Sequence, residues 1–362
     1  MSSLNAVTAD RTAVRLYGPD DDWESLRSAR LQGPTAGLTA TERYLADSLS
    51  WLSVLRSALQ HVPYLLTATS EDRIVGVLPL AFVKSWLFGR FLVSLPYVNS
   101  AGIVADTDAA AEQLLSRAVE LADTLDVRYL ELRQQRELAH AALTAKNATK
   151  SLLMLNLPRS SEELLAAFKS KLRSQIRSGE KKGFEVRWGT QELLPDFYAV
   201  FSQNMRDLGT PVYSRHLFVE ILTQFATSAE LCVLYLQAQP VAAALLLHHA
   251  GVTEVPSASS LRAFNSTNAN MVMYWHLLQR AIGRGQAKFD FGRSTVDSNT
   301  YRFKTQWGAQ PSPSVWQYYV RRGDVSDMRP SNSRFGLAIR IWQKLPLAVA
   351  NLLGPIVVRG IP

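Results

Sequence analysis

The stretch Ser260–Gly308, SLRAFNSTNANMVMYWHLLQRAIGRGQAKFDFGRSTVDSNTYRFKTQWG, carries the reading of the whole chain. A polar run leads into apolar residues at helical spacing, then a short apolar strand reaches Asp290 and Gly292. A segment with Tyr301, Arg302, Phe303 and Lys304 follows. Loop, helix, strand and basic segment in that order predict one half of an α/β domain whose anionic ligand lies at the start of the helix.

The first half of the chain repeats this order. Tyr64–Thr69 turns at Glu71-Asp72 into RIVGVLPLAFV, and strands near Phe91–Leu95 and Ala101–Ala105 follow. The helix EQLLSRAVELADTL and the strand RYLELR complete that half. In the second half, LCVLYLQ turns into PVAAALLLHHA, then VTEVPSASSLRAF, MVMYWHLLQRAIGRG and KFDF. The offset is roughly 160 residues, far above the ~20–50 of solenoid repeats, so a duplicated domain is expected. Helices are expected at Asp22–Gln32, Glu42–His61, Ser161–Gly179, Glu192–Leu208, Ser214–Phe225 and Met271–Gly285. The fold class is therefore α/β with two similar units, 1–150 and 151–325, and an apolar-basic tail, 326–362. The strand Ser151–Leu157 carries the chain across.

The composition is that of a globular protein: 362 residues, 47% hydrophobic and 19% charged. The first residues lack a charged n-region and an apolar h-region, so no signal peptide is expected. No window offers about 18 apolar residues, so no membrane span is expected. Cys232 is the one cysteine and sits in an apolar strand pattern; His and Cys show no metal-ligand spacing. The formal charge of +8 is uneven. Residues 1–150 hold 15 Lys/Arg against 17 Asp/Glu, and residues 151–362 hold 24 against 14. An anionic ligand on the second half follows from that asymmetry.

Four further motifs carry chemistry. Lys169, Arg173, Arg177 and Lys181 recur every four residues, stacking like charges on one helix face, which RNA phosphate, a nucleotide-sugar diphosphate or an acidic lipid surface would relieve. LPYVNSAG (95–102) places Tyr97 and Asn99 on a loop, and NMRDLGTPVYS (204–214) places Arg206 and Tyr213 at a helix corner. Both motifs are candidate substrate contacts. Arg262, Asn265, Asn270 and Trp275 are candidates around the helix start, where the glycine-rich turn suited to coenzyme A is missing. Arg293, Tyr301 and Arg302 are the remaining substrate-binding candidates. Lys304 is the candidate oxyanion donor. Asp290 is its orienting partner, a general base, or a loop cap. His248 and His249 alternate in a strand, one in and one out, and neither is assigned to catalysis. No nucleophile–base pair stands at a recognisable spacing, which favours direct transfer. The tail GLAIRIWQKLPLAVANLLGPIVVRGIP can pack on the body or lie on a membrane surface.

Together LPYVNSAG, KSKLRSQIRSGEKKGFEV, NMRDLGTPVYS, ASSLRAFNSTNANMVMYW, FDFGRST and TYRFKTQWGAQP resemble the FemAB family, within it the group associated with exosortase/PEP-CTERM systems. The likeness runs from about residue 13 to 355. It implies two tandem GNAT-like (acyl-CoA N-acyltransferase) domains, the second related to the BioF2-like acetyltransferase domain. Better-known members are cytoplasmic, metal-free aminoacyltransferases that move an amino acid from aminoacyl-tRNA to a cell-wall precursor, held in a cleft on the first domain. By similarity, Lys304 matches a lysine that assists the transfer. The expectation is an acyl- or aminoacyltransferase of envelope or exopolysaccharide precursors. Its donor would be aminoacyl-tRNA or acyl-CoA, with no tightly bound cofactor. Its acceptor would be a glycan or glycan-lipid, and its location cytoplasmic, with a peripheral position at the inner membrane face through the tail. The competing expectation is a non-catalytic basic module for RNA or an anionic membrane.

Overall fold

The computed structural model describes residues 12–325, except 24 and 27–38, together with 336–362. The expected helix Asp22–Gln32 falls largely outside the described residues, as does the start of the tail, 326–335.

The first unit runs β1 (Ala13–Tyr17), α1 (Ala40–Leu59), β2 (Val62–Ser70), β3 (Arg73–Ser85), β4 (Gly89–Val93), β5 (Val104–Ala105), α2 (Asp108–Thr124), β6 (Tyr129–Gln134) and β7 (Ala145–Asn147). The second begins with β8 (Lys150–Asn156), α3 (Ser161–Ala167), α4 (Ser170–Glu180), β9 (Glu185–Gly189), α5 (Leu194–Leu208), α6 (Arg215–Gln224) and β10 (Ala229–Leu236). It continues through β11 (Gln239–His249), β12 (Val252–Ser260), α7 (Ala269–Gly283), β13 (Lys288–Thr295), α8 (Asn299–Thr305) and β14 (Gln310–Ser312). Then come β15 (Val315–Val320), α9 (Gly336–Trp342) and α10 (Leu347–Val358).

Two sheets result, ordered β1-β2-β3-β4-β6-β15-β7, with β5 on β3, and β14-β8-β13-β12-β11-β10-β9. Each contains the same run: two antiparallel pairings, a helix, and a strand returning parallel to the third. The parallel contact is short in both. It covers Phe91–Val93 with Tyr129–Glu131 in one sheet and Val252–Glu254 with Lys288–Asp290 in the other. The α/β class and the duplication read from the sequence are both present.

A helix layer of α1, α5 and α6 lies between the sheets, and one core unites it with both. Leu52, Phe197, Phe201 and Phe218 pack there with Leu65 of β2 and Leu231 of β10. α2 covers the outer face of the first sheet, and α4 and α7 cover that of the second. Strands such as β11 are buried on both faces and so read as continuous apolar runs.

Four local expectations need correction. Residues 315–320, assigned to the second unit, form β15 and pair with β6 and β7 of the first sheet. The single helix expected over Ser161–Gly179 breaks at Phe168, whose ψ of 146° is extended; burial of its ring against Trp275 and Trp307 overrides helical continuity. The helix expected at Met271–Gly285 covers Ala269–Gly283, because Asn268 takes a left-handed φ of 62° and starts it two residues earlier. The short strand KFDF extends to Thr295 through a bulge.

Candidate functional site

The two parallel contacts end differently, and the difference makes the site. Past Glu254, β12 bulges where Val255 and Pro256 face β11 across a register shift; proline lacks the N–H for another ladder bond. Past Asp290, β13 bulges through Gly292, whose φ of 75° suits glycine. The strands diverge there. Val255–Ser260 stays on β11, Arg293–Thr295 stays on β8, and no hydrogen bond joins the two strands beyond that point among the described residues. The equivalent opening in the first sheet is closed by its own loop. Ser94 N–H donates to the Glu131 carbonyl at 2.9 Å, Arg133 N–H donates to Ser94 Oγ at 2.8 Å, and Ala101 N–H donates to the Arg133 carbonyl at 3.0 Å.

Asp290 sits at the base of the open split, buried, with Oδ1 accepting the Gly292 N–H at 2.7 Å. Lys304, on α8, donates from Nζ to the carbonyls of Gly292 and Arg293, both at 3.1 Å. That leaves one ammonium hydrogen for another acceptor. Burial, then the charge of Glu254, pushes the Asp290 carboxyl up to about 7, against the Gly292 N–H, Lys304 and His249. Burial lowers Lys304 to about 8, offset in part by Asp290 and reinforced by Lys150. Both groups thus titrate near neutrality, the range suited to proton transfer and to a switchable cation.

The first unit reaches this place through Asn99. A Cβ on Gly292 would lie 3.2 Å from Asn99 Nδ2 and 3.8 Å from Lys304 Nζ. The loop bearing Tyr97 and Asn99 has left-handed φ at Leu95 (47°) and Tyr97 (70°), uncommon for such residues. Buried Arg133 holds it: Nε pairs with Glu131 at 2.8 Å and Nη1 donates to the Val98 carbonyl at 2.9 Å. Trp316 of β15 lies between two guanidiniums, with Arg293 3.3 Å and Arg133 4.1 Å from its ring centre. Burial first, and then the neighbouring guanidiniums, lower Lys150 on β8. Arg133, Lys150, Arg293 and Lys304 therefore concentrate positive charge where the two sheets meet.

The other candidates fall in three places. Tyr97 and Tyr213 meet edge to face at 5.2 Å, and Tyr97 donates to the carbonyls of Val358 and Ile361, both at 3.0 Å. Arg206 pairs with Asp207 at 2.8 Å and donates to the Leu345 carbonyl at 3.0 Å. The tail thus lies on both the loop and the helix corner. Arg262 and Asn265 are exposed in the 3-10 turn before α7, and Asn270 is half-buried. Trp275 is buried in the second unit's core, its ring against Phe168. Tyr301 and Arg302 lie on α8 with Lys304. The basic residues ride on α4, where Arg173, Arg177 and Lys181 line a shallow depression of about 360 Å³. Lys169 instead edges one of about 450 Å³ beside Thr305–Gly308.

Sequence reading missed Arg133, Glu131, Lys150 and Trp316; the alternation RYLELR was a visible signal for a buried ion pair, whereas Trp316 had none. Pro256 inside a strand pattern was the legible sign of the split. His248 is buried against Glu230 and Thr253, and His249 is half-buried between Asp47 and Glu254, an inward and an outward histidine as read. Among the described residues no group of three His, Cys, Asp or Glu is arranged to hold a metal, and no helix is long and apolar enough to cross a membrane.

Residues 166–305, which hold the split, α7 and Lys304, match the family model of the acetyltransferase (GNAT) domain. That stretch is therefore similar to a GNAT acyltransferase domain. The GNAT fold is present twice. The crystal structure of FemX superposes at a TM-score of 0.60 with 16% identity, covering 78% of this chain and 96% of that one. A tandem GNAT protein from the clavulanic acid biosynthesis pathway gives 0.54 with 12% identity, covering 87% and 100%. A dihydroorotase of Syntrophobacter fumaroxidans is 31% identical over 109 residues, 29% of this chain. The chain spans 25% of that relative's length, so the likeness is local.

Proposed function

We propose that the protein transfers an acyl or aminoacyl group from an anionic donor to an amine on a cell-envelope or exopolysaccharide precursor, directly and without a covalent enzyme intermediate. The observation that carries this reading is the asymmetry of the two splits: one is closed by its own loop, while the other is open, with Asp290 and Lys304 at its base. An extended acyl donor laid in the open split can bond the backbone that β12 and β13 leave unpaired. The acceptor amine attacks the donor carbonyl, so a C–N bond forms and the donor's ester or thioester bond breaks. Lys304 offers its remaining N–H to the developing oxyanion, and Asp290, partly ionised near pH 7, accepts a proton from the amine and returns it to the departing tRNA oxygen or coenzyme A sulfur.

The donor's anionic part is assigned to the surface where α4 meets the start of α7. Gly179 of α4 packs directly on Asn268 and Val272, while Arg173, Arg177 and Lys181 line a depression on the outer side of the same helix. That basic face favours charged tRNA over coenzyme A, and the missing glycine turn agrees. The acceptor is assigned to the side of Asn99, bordered by Tyr97, Arg206 and Tyr213 under the tail. Its glycan or glycan-lipid character rests on the motif likeness to the exosortase-linked FemAB group.

Labelled aminoacyl-tRNA and labelled acyl-coenzyme A, offered in parallel with an envelope-precursor extract, test this. Label passing from either donor into the extract, and lost in Lys304→Ala, is the expected result. Salt-sensitive RNA binding with no product from either donor would instead support a non-catalytic platform.

A further inference from the structure

We infer that the C-terminal segment and the tip of the β3–β4 hairpin together form a docking surface for an anionic lipid bilayer. α10 has two faces. Ala350, Gly354 and Val358, four residues apart, are buried on the body, and a Cβ on Gly354 would lie 2.7 Å from the Val212 backbone nitrogen. Val349, Leu352, Leu353 and Ile356 form the opposite stripe, with Leu352 71% and Ile356 64% exposed. Leu337 and Ile341 of α9, also four apart, are exposed as well. The hairpin joins them: a Cβ on Gly360 would sit 2.6 Å from Ser85 Oγ and 3.3 Å from Phe88. At its tip Trp86 is 95% exposed and Leu87 58%.

Most of the large hydrophobic side chains left exposed among the described residues thus belong to this composite of hairpin and tail. Its charge selects the occupant. Residues 336–362 carry Arg340, Lys344 and Arg359 with no Asp or Glu, and Lys84 stands exposed beside Trp86. Apolar residues with an aromatic at the edge and cations alongside fit a headgroup–acyl boundary bearing negative charge. The inner face of the same segment accepts hydrogen bonds from Tyr97 and Arg206, so docking would present the acceptor side of the cleft to the bilayer. This last step rests on the proposed glycan-lipid acceptor; the docking itself does not.

Co-sedimentation of the full chain with vesicles, in the absence of any donor, tests it. Phosphatidylcholine vesicles containing phosphatidylglycerol are expected to retain the protein, pure phosphatidylcholine much less, and added salt to weaken retention. Trp86→Ser/Leu87→Ser and Leu352→Ser/Ile356→Ser are each expected to bind about tenfold more weakly or worse, with unchanged thermal melting. Absence of retention on the anionic vesicles would overturn the inference, as would full retention by both variants. Concentration-dependent dimerisation abolished by the same variants, without vesicle binding, would assign the face to a second copy and overturn it too. Vesicle binding is read without turnover, so its failure is separate from failure of the transferase reading.

Discussion

Asp290 and Lys304 are buried close enough to influence each other's proton, and that proximity sets two expectations. If transfer needs an ionised Asp290 and a charged Lys304, the profile of kcat/KM against pH is bell-shaped. Its apparent limbs lie near 7 and 8 and belong to the pair. Lys304→Arg should move the alkaline limb upward, since guanidinium keeps its proton, while lowering the rate; a limb that stays in place would separate Lys304 from the reaction. Stability follows a different course. The Asp290 carboxyl rises from 3.8 to about 7 on folding, so the folded state holds the extra proton and stability falls as pH rises across that window. Asp290→Asn keeps an acceptor for the Gly292 N–H and removes the buried charge. It should be more stable than the parent at pH 8 by on the order of 1–2 kcal/mol, the difference vanishing at acid pH, because one pKa unit is about 1.4 kcal/mol and Lys304 loses its partner. Urea denaturation at two pH values measures this; a variant less stable than the parent at pH 8 would show that the carboxylate is net stabilising. Both residues were singled out from sequence, Asp290 at the end of an apolar strand and Lys304 in the basic segment that follows it. Their shared electrostatic setting was not, because it depends on the charges of Glu254, His249 and Lys150, which lie elsewhere in the chain.

At the scale of elements, the determinants are bulges and close approaches more than propensities. β12 and β13 separate because each gains a residue just after its last paired position, and Pro256 with Gly292 marks those places in the sequence. α10 approaches the body closely because position 354 is glycine. Gly354→Val would drive a side chain into the Val212 backbone, and overpacking of this kind costs about 1–3 kcal/mol. The expected sign is local: faster amide exchange across Leu347–Val358, with β10 and β11 unaffected. Uniform loss of protection would mean that the tail is integral to the whole core. The helix of basic residues was readable from its four-residue spacing. Its break at Phe168 was not, since what ends the preceding helix is burial of an aromatic ring against Trp275 and Trp307.

The whole molecule is tied together by strand exchange. β15 arises after the second unit yet lies between β6 and β7 of the first, and it carries Trp316 to the junction of the sheets. A chain ending at residue 150 therefore lacks an interior strand and exposes the edges of β6 and β7. It should aggregate or remain only partly folded, whereas adding a β15 peptide should restore protection in β6; a cooperatively folded 1–150 fragment would show the exchange to be dispensable. The duplication, the α/β class and the basic second half were determined by sequence alone, because each is a local pattern of spacing, turn residues or charge. The closure of one split and the opening of the other, the return of β15, the hold of Arg133 on the loop bearing Asn99, and the union of hairpin and tail were decided only by tertiary structure. Each of these joins residues separated by long stretches of chain, and no local period or propensity records which distant strand edge or carbonyl a side chain will meet.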